Sequence, residues 1–230
     1  MRRWFRRSRS EEPRVEQDWV ARQLEARGIR DAAVLAAMRA VPREKFVPPD
    51  LERQAYDDGA LPIGHGQTIS QPYIVARMTQ ALALGDWSAA HSGARPKVLD
   101  VGTGSGYQAA ILAALGAEVV SVELEAELAE KARLRLIGLG YKVKVVAGDG
   151  SRGVPEDAPY AAIVVAAAAP DVPVPLVEQL EPDGRLVLPI GSRLEQVTTL
   201  VRPTADGFVR EPIEPAVFVP LLGEHGFSSR

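Results

Sequence analysis

The 230 residues suit one α/β domain with an N-terminal piece better than two independent cores, and 46% hydrophobic with 25% charged residues excludes wholesale disorder. The absence of cysteine removes disulfides, thiolate nucleophiles, iron–sulfur clusters and cysteine zinc sites, and three histidines far apart in sequence give no metal site to assign. The net charge of −3 is uneven: residues 1–14 carry six arginines against Glu11 and Glu12, which leaves an acidic body of −7.

Residues 1–14 read as a solvated basic tail in preference to a functional arm. Glu11, Glu12 and Pro13 stand where a twin-arginine export signal needs an apolar segment. Residues 15–27 set Val15, Val20 and Leu24 among charges and end at Gly28, while Asp31 caps a second apolar-periodic stretch that stops before Pro42, so two short helices open the fold. From 41 to 71 the periodicity is lost among prolines at 42, 48, 49 and 62 and glycines at 59, 64 and 66, which predicts a long and therefore functional loop. Pro72 suits a first helical turn, and Ile74, Val75, Met78, Ala81 and Leu82 recur at helical spacing behind it.

A polar linker is expected over 85–96. A strand at 97–101, a helix at 105–115 and a strand at 118–123 then make a βαβ unit. The helix at 125–136 has acids early and Lys131, Arg133 and Arg135 late, as the helix dipole favours. Strands near 143–147 and 162–166, a helix at 173–180, and strands at 184–189 and 197–201 continue the alternation, with 217–219 as one further candidate strand. The longest uncharged apolar run, 160–169, is too short to cross a bilayer. The pattern predicts an α/β fold with a doubly wound, mostly parallel, Rossmann-like sheet of about seven strands. N-terminal helices and loops (15–96) share one structural domain with the sheet and a small C-terminal extension (97–230).

The strongest local signal is Asp100-Val101-Gly102-Thr103-Gly104-Ser105-Gly106, where an apolar strand runs into glycines at alternate positions. Such a loop lets a ligand approach the backbone at the carboxyl edge of a parallel sheet, although a plain glycine turn has the same composition. Glu123 ends the next strand, 21 residues after Gly102, where an acid can accept from ribose hydroxyls. The dinucleotide fingerprint needs a third glycine at position 107, which is tyrosine, so a nicotinamide cofactor is disfavoured. Asp100 repels a pyrophosphate and favours a ligand carrying an ammonium group, such as S-adenosylmethionine. Gly148-Asp149-Gly150 is by itself a turn sequence; beside the other two signals Asp149 becomes a candidate acceptor for an adenine amino group.

These residues resemble the class I S-adenosylmethionine-dependent methyltransferases and, more narrowly, the protein-L-isoaspartate O-methyltransferases. The narrower likeness rests on Val41-Pro42-Arg43 with Phe46-Val47-Pro48, on Leu61-Pro62-Ile63-Gly64, and on Gly66-Gln67-Thr68-Ile69-Ser70-Gln71-Pro72. The glycine loop through Tyr107, Gly148-Asp149-Gly150 and residues 186–191 complete it, over about residues 22–221. The resemblance implies S-adenosylmethionine as methyl donor, leaving as S-adenosylhomocysteine, and isoaspartyl residues of damaged proteins and peptides as acceptors. It implies a cofactor site of Thr68, Ile69, Asp100, Gly102, Thr103, Gly104, Gly106, Glu123, Asp149 and Gly150. The segment 15–96 then contributes the acceptor site, with Ser70 as the active-site serine and His65 and Gln196 near the substrate. Two departures stand out: Ala161 where the family commonly has Asp, at a strand entry, and Ala166 where it commonly has Thr, at the substrate cleft.

The implied reaction needs no general base, because a carboxylate with a pKa of about 3.9 is already ionised at neutral pH. The protein has to align the reacting atoms, exclude water and orient the acceptor. A Ser70 hydroxyl can donate to that carboxylate or cap the following helix; Pro72 at the first helical position makes Gln71 the cap and leaves Ser70 free. A Ser70–His65 hydrolase pair lacks the Gly-x-Ser-x-Gly elbow, and His91 and His225 read as incidental. Two other functions remain open: a class I methyltransferase acting on a small molecule or RNA, and a nucleoside-binding protein without catalysis. The acidic body opposes RNA. The expected setting is cytoplasmic, with no nucleic-acid or membrane partner, and the oligomeric state stays open.

Overall fold

A computed structural model describes residues 14–228, so the basic tail lies outside the described residues except for Arg14, which begins α1 (Arg14–Gln23). The second helix, α2 (Ala32–Ala40), starts as its sequence predicts: the Asp31 carboxylate accepts from the amides of Ala33 at 2.9 Å and Val34 at 3.1 Å, satisfying two of the donors a helix start leaves open.

The stretch from 41 to 71 is more ordered than its composition predicts. Two 3-10 turns, Arg43–Phe46 and Pro49–Gln54, lead into an antiparallel hairpin of β1 (Leu61–Gly64) and β2 (Gln67–Ile69). Three- and four-residue strands are too short to print a period of two, and Gly64, His65 and Gly66 all take positive φ in the turn. Pro72 opens α3 (Pro72–Leu82) with Gln71 at the cap position. The expected linker also holds α4 (Leu84–Ala90), separated from α3 by Ala83 at φ 49°.

The main sheet contains β3 (Lys97–Val101), β4 (Glu118–Glu123), β5 (Val143–Ala147), β6 (Tyr160–Val165), β7 (Leu180–Gly191), β8 (Gln196–Thr204) and β9 (Gly207–Ala216). Their order is β5-β4-β3-β6-β7-β8-β9. The first five are mutually parallel, and β7, β8 and β9 continue as an antiparallel meander. The helices α5 (Tyr107–Ala114), α6 (Ala126–Gly138) and α7 (Val174–Glu178) fall between the parallel strands. Residues 217–219, a candidate strand in the sequence, are irregular, and the last strand is instead β9. Its prolines at 212 and 215 and its charged residues hide it from a strand pattern, yet suit an edge.

The alternation along each strand divides the core in two. Val98, Val119, Ala162 and Val164 join the cluster under α2, α3 and α5, whereas Leu99, Val101, Val120, Val122, Ile163 and Val165 face the cluster around Leu176 of α7. From β3 the chain adds β4 and β5 on one side and later places β6 on the other. The strand order therefore reverses at β3, and the crevice for a ligand opens at its carboxyl end. Behind that point the N-terminal segment is bolted to α5: fully buried Arg43 donates through Nε to the Ala55 carbonyl at 2.7 Å and lies 4.9 Å from the centre of the Tyr107 ring, which Phe46 meets edge-on at 5.4 Å. Burial pushes the Tyr107 phenol up to about 12. Among the described residues no helix is long and apolar enough to cross a membrane.

Candidate active site

A cavity occupies the predicted crevice. Its floor is the loop after β3, residues 101–105; its sides are 122–125 after β4, Gly150 after β5 and Ala166 and Ala167 after β6. Residues 67–70 of the hairpin and its exit enclose it from one direction and residues 218–222 from another. The strand ends are fixed by short bonds: Gly102 N donates to Val122 O at 2.9 Å, and Ala166 N to Val101 O at 2.8 Å.

The glycines serve different ends. Gly102 and Gly104 line the cavity at φ 90° and 54°, and Cβ atoms there would sit 3.7 Å from Ala166 Cβ and 3.4 Å from Ile63 Cδ1, filling the cradle. Gly106 caps α5 and does not line the cavity; a Cβ on it would press on Leu136 at 3.2 Å, so its smallness serves helix packing.

Glu123 is 6% exposed and lines the cavity. Its Oε2 accepts from Gly104 N at 2.8 Å and its Oε1 from Glu125 N at 3.1 Å, so one carboxylate pins both loops and keeps a further lone pair on each oxygen. Asp100, expected at the ligand, lies instead behind the wall. It is fully buried, its Oδ2 accepts from Ser121 Oγ at 2.8 Å, Ser121 pairs with Thr103 Oγ1 at 2.6 Å, and Oδ1 has no partner. Burial pushes this carboxyl up to about 7; the Ser121 bond opposes that rise and the Glu123 charge adds to it.

Asp149 is likewise set back from the cavity, which Gly150 lines in its place. Its Oδ1 accepts from Ser151 N and Oγ at 2.9 and 2.7 Å, and its Oδ2 from Glu224 N at 2.8 Å, so it holds the C-terminal segment against the loop after β5. Burial alone would raise its pKa, but these donors hold it below the usual carboxylate value. A Cβ on Gly150 would meet Val101 Cγ1 at 2.6 Å, which makes glycine the residue that fits between the two strand ends.

A second cleft adjoins the first. It is bounded by Ser70, Gln71 and Ile74 at the start of α3 and by residues 215–219 at the end of β9 and just after it, and it shares Thr68, Ser70, Ala166, Phe218 and Val219 with the first cavity. Next to residues of this lining, Tyr73 Oη donates to Glu214 at 2.6 Å and so ties α3 to β9. Ser70 is half-buried and its hydroxyl has no hydrogen-bond partner among the described residues; Gln71 at the cap position bonds Asp58 instead of the helix. Ser70 thus caps nothing.

His65 and Gln196 line neither space. His65 sits at the hairpin tip, 3.8 Å from Glu127. Gln196, 4% exposed, accepts from Phe218 N at 2.9 Å and donates to Ser192 O at 2.5 Å, so it acts on the shared wall through Phe218. Residues 218–222 carry no motif, and the signal that marks them in the sequence is the uncharged run 215–222 following the last acidic strand.

Residues 15–226 match the family described as protein-L-isoaspartate(D-aspartate) O-methyltransferase. The chain belongs to this family. The protein-L-isoaspartate O-methyltransferase of Methanoculleus marisnigri is 50% identical over 217 residues, covering 93% of this chain and 94% of its own, and that of Gloeobacter violaceus is 51% identical over 207 residues, covering 89% and 97%. A solved protein-L-isoaspartate O-methyltransferase superposes with a TM-score of 0.78 at 28% identity, over 91% of this chain and 67% of that one. A Plasmodium falciparum chain described as a protein-L-isoaspartate O-methyltransferase in complex with S-adenosyl-L-homocysteine shares the fold at a TM-score of 0.73 and 24% identity, over 90% and 98%. As a member of this family the chain has a glycine cradle with Glu123 anchored at its edge, features that fit a donor with a sugar.

Proposed function

We propose that this chain esterifies the free carboxylate of isoaspartyl residues in damaged proteins and peptides, with the donor in the cavity at the strand ends and the acceptor in the adjoining cleft. The observation that carries this reading is the wall common to both spaces, Thr68, Ser70 and Ala166, with an uncommitted Ser70 hydroxyl on it. S-adenosylmethionine supplies an electrophilic methyl group and leaves as S-adenosylhomocysteine.

The residues present do the rest. Gly102, Thr103 and Gly104 offer backbone at close range, Glu123 offers its remaining lone pairs to ribose hydroxyls, and Ile69 with Gly150 supports the donor from the sides. Asp149 holds the C-terminal wall in place, and Asp100 with Thr103 sets the floor through Ser121. Ser70 donates to the acceptor carboxylate beside the first turn of α3, whose free amides favour an anion. Because the nucleophile is already ionised, orientation and exclusion of water account for the chemistry without a base. Ala166 leaves a small, apolar point on the shared wall where a hydroxyl is common in the family.

The reading includes a cytoplasmic setting, compatible with a cysteine-free chain, and no nucleic-acid partner, in keeping with the acidic body. Labelled methyl transfer to an isoaspartyl peptide and to its aspartyl twin tests it. Transfer to the first alone is expected; transfer to neither, or to both equally, overturns the assignment.

A further inference from the structure

At the end of the sheet where the parallel strands begin, remote from the cavity, His91, Glu181 and Asp183 each bring a ligand atom to within 4.8 Å of the others. His91 follows the last residue of α4, and the two acids stand in the first turn of chain of β7. The three residues are far apart in sequence, so no spacing motif announces them.

One neighbour orients two of the three. The Trp87 carbonyl lies 2.8 Å from His91 Nδ1, and because a carbonyl only accepts, that nitrogen carries the proton. The neutral ring then has its lone pair on Nε2, which lies 3.7 Å from Asp183 Oδ2. The Trp87 indole also stacks on the imidazole, with centroids 4.1 Å apart and planes 13° from parallel, and its Nε1 donates to Glu181 Oε2 at 3.0 Å. A histidine whose second nitrogen is held by a carbonyl, next to a carboxylate held by its own donor, has the outer-shell support seen around bound metals. The 3.7 Å gap is long for a hydrogen bond but close to the roughly 3.4 Å edge between ligands around one tetrahedral zinc ion with bonds of about 2.0–2.2 Å.

We propose that His91, Glu181 and Asp183 form a binding site for a divalent transition-metal ion, zinc(II) being the probe of choice, which clips α4 to the start of β7. The donor set of one imidazole and two carboxylates suits zinc and its neighbours in the first row and leaves a position for water. The site is structural: it clips together two points of chain separated by β3 to β6, and it takes no part in methyl transfer at the other end of the strands.

The test uses the full chain, stripped with a chelator and titrated with zinc chloride by calorimetry, with thermal unfolding followed in parallel. One saturable ion per chain and a melting temperature that rises with zinc are expected. His91→Phe, which keeps a ring on Trp87 but removes the ligand, and Asp183→Asn should each weaken binding tenfold or more. Trp87→Phe, which keeps the carbonyl but loses the indole donor, should weaken it by about tenfold. His65→Ala, at the other end of the molecule, should bind as the parent does. Absence of saturable binding, or zinc affinity in His91→Phe equal to that of the parent, overturns the proposal and leaves the cluster as an ordinary surface ion pair. A loss in His65→Ala as large as in His91→Phe overturns it as well. Since the readout is metal affinity, failure of the methyl-transfer reading would leave this result untouched.

Discussion

Replacing Ser70 by alanine separates orientation of the acceptor from support of the fold, because the hydroxyl has no partner to lose among the described residues and the helix cap is Gln71. The change should alter stability by less than about 0.5 kcal/mol, as for a side chain outside any packed or bonded network. A hydrogen bond donated to a charged acceptor contributes about 1.5–3 kcal/mol, so kcat/KM for the peptide should fall by roughly ten- to a hundredfold or somewhat more. Because the carboxylate loses its charge as the ester forms, the bond serves to hold and align the acceptor, so the loss falls on kcat/KM and on the KM for peptide while the affinity for S-adenosylhomocysteine stays put. Steady-state kinetics on an isoaspartyl peptide, calorimetry with S-adenosylhomocysteine and a thermal melt read all three quantities, and Ser70→Thr should restore part of the rate. An unchanged kcat/KM with a lower melting temperature would refute the argument, since a capping residue costs about 0.5–2 kcal/mol when removed.

Glu123→Ala should weaken S-adenosylhomocysteine binding at least tenfold by calorimetry, because it frees the amides of Gly104 and Glu125 as well as removing the ribose acceptors; unchanged affinity would move the donor elsewhere. Asp100 carries a pKa raised from 3.8 to about 7, so the folded chain holds an extra proton between those values and the parent loses stability as pH rises through them. With each pKa unit worth about 1.36 kcal/mol, Asp100→Asn should gain on the parent by up to roughly 4 kcal/mol between pH 4 and 8 in denaturant titrations, and a constant difference across that range would contradict the burial argument. Gln196→Ala strands the Phe218 amide and the Ser192 carbonyl, so it should cost about 1–3 kcal/mol in urea and raise the KM for peptide; a variant matching the parent in both would sever Gln196 from the shared wall.

The parallel half of the fold was legible because buried strands and amphipathic helices print different periods. Residues 97–101, 118–123 and 143–147 appear as strands at those limits. The hairpin of β1 and β2 was not, since its pairing depends on a turn with three residues at positive φ and on strands too short to alternate. Within the candidate site, the presence of Gly102, Gly104 and Glu123 around one cavity follows from spacing along one βαβ unit. The positions of Asp100 and Asp149 do not: whether a carboxylate points at a ligand or behind the wall depends on which donors reach it, and Ser121 and Glu224 arrive from distant parts of the chain. Residues 218–222 escape for the same reason, as their place is fixed by Gln196 and by Asp149 rather than by any local pattern.

The bond between Asp149 and the amide of Glu224, with Ser151 Oγ accepting from His225 N at 3.0 Å beside it, also sets an order of events during synthesis. Every strand of the sheet has been made once residue 216 leaves the ribosome, but residues 218–222, which wall the cavity at the strand ends, come after it. A nascent chain at that stage can pair all seven strands while its ligand site still gapes on one side. The sheet can therefore reach its topology without help from a bound ligand, and under the proposed placement donor affinity adds to stability only after the C-terminal segment has folded back onto the loop after β5. Cleavage between 216 and 224 should accordingly give a protein with the circular dichroism of the parent and without its affinity for the donor.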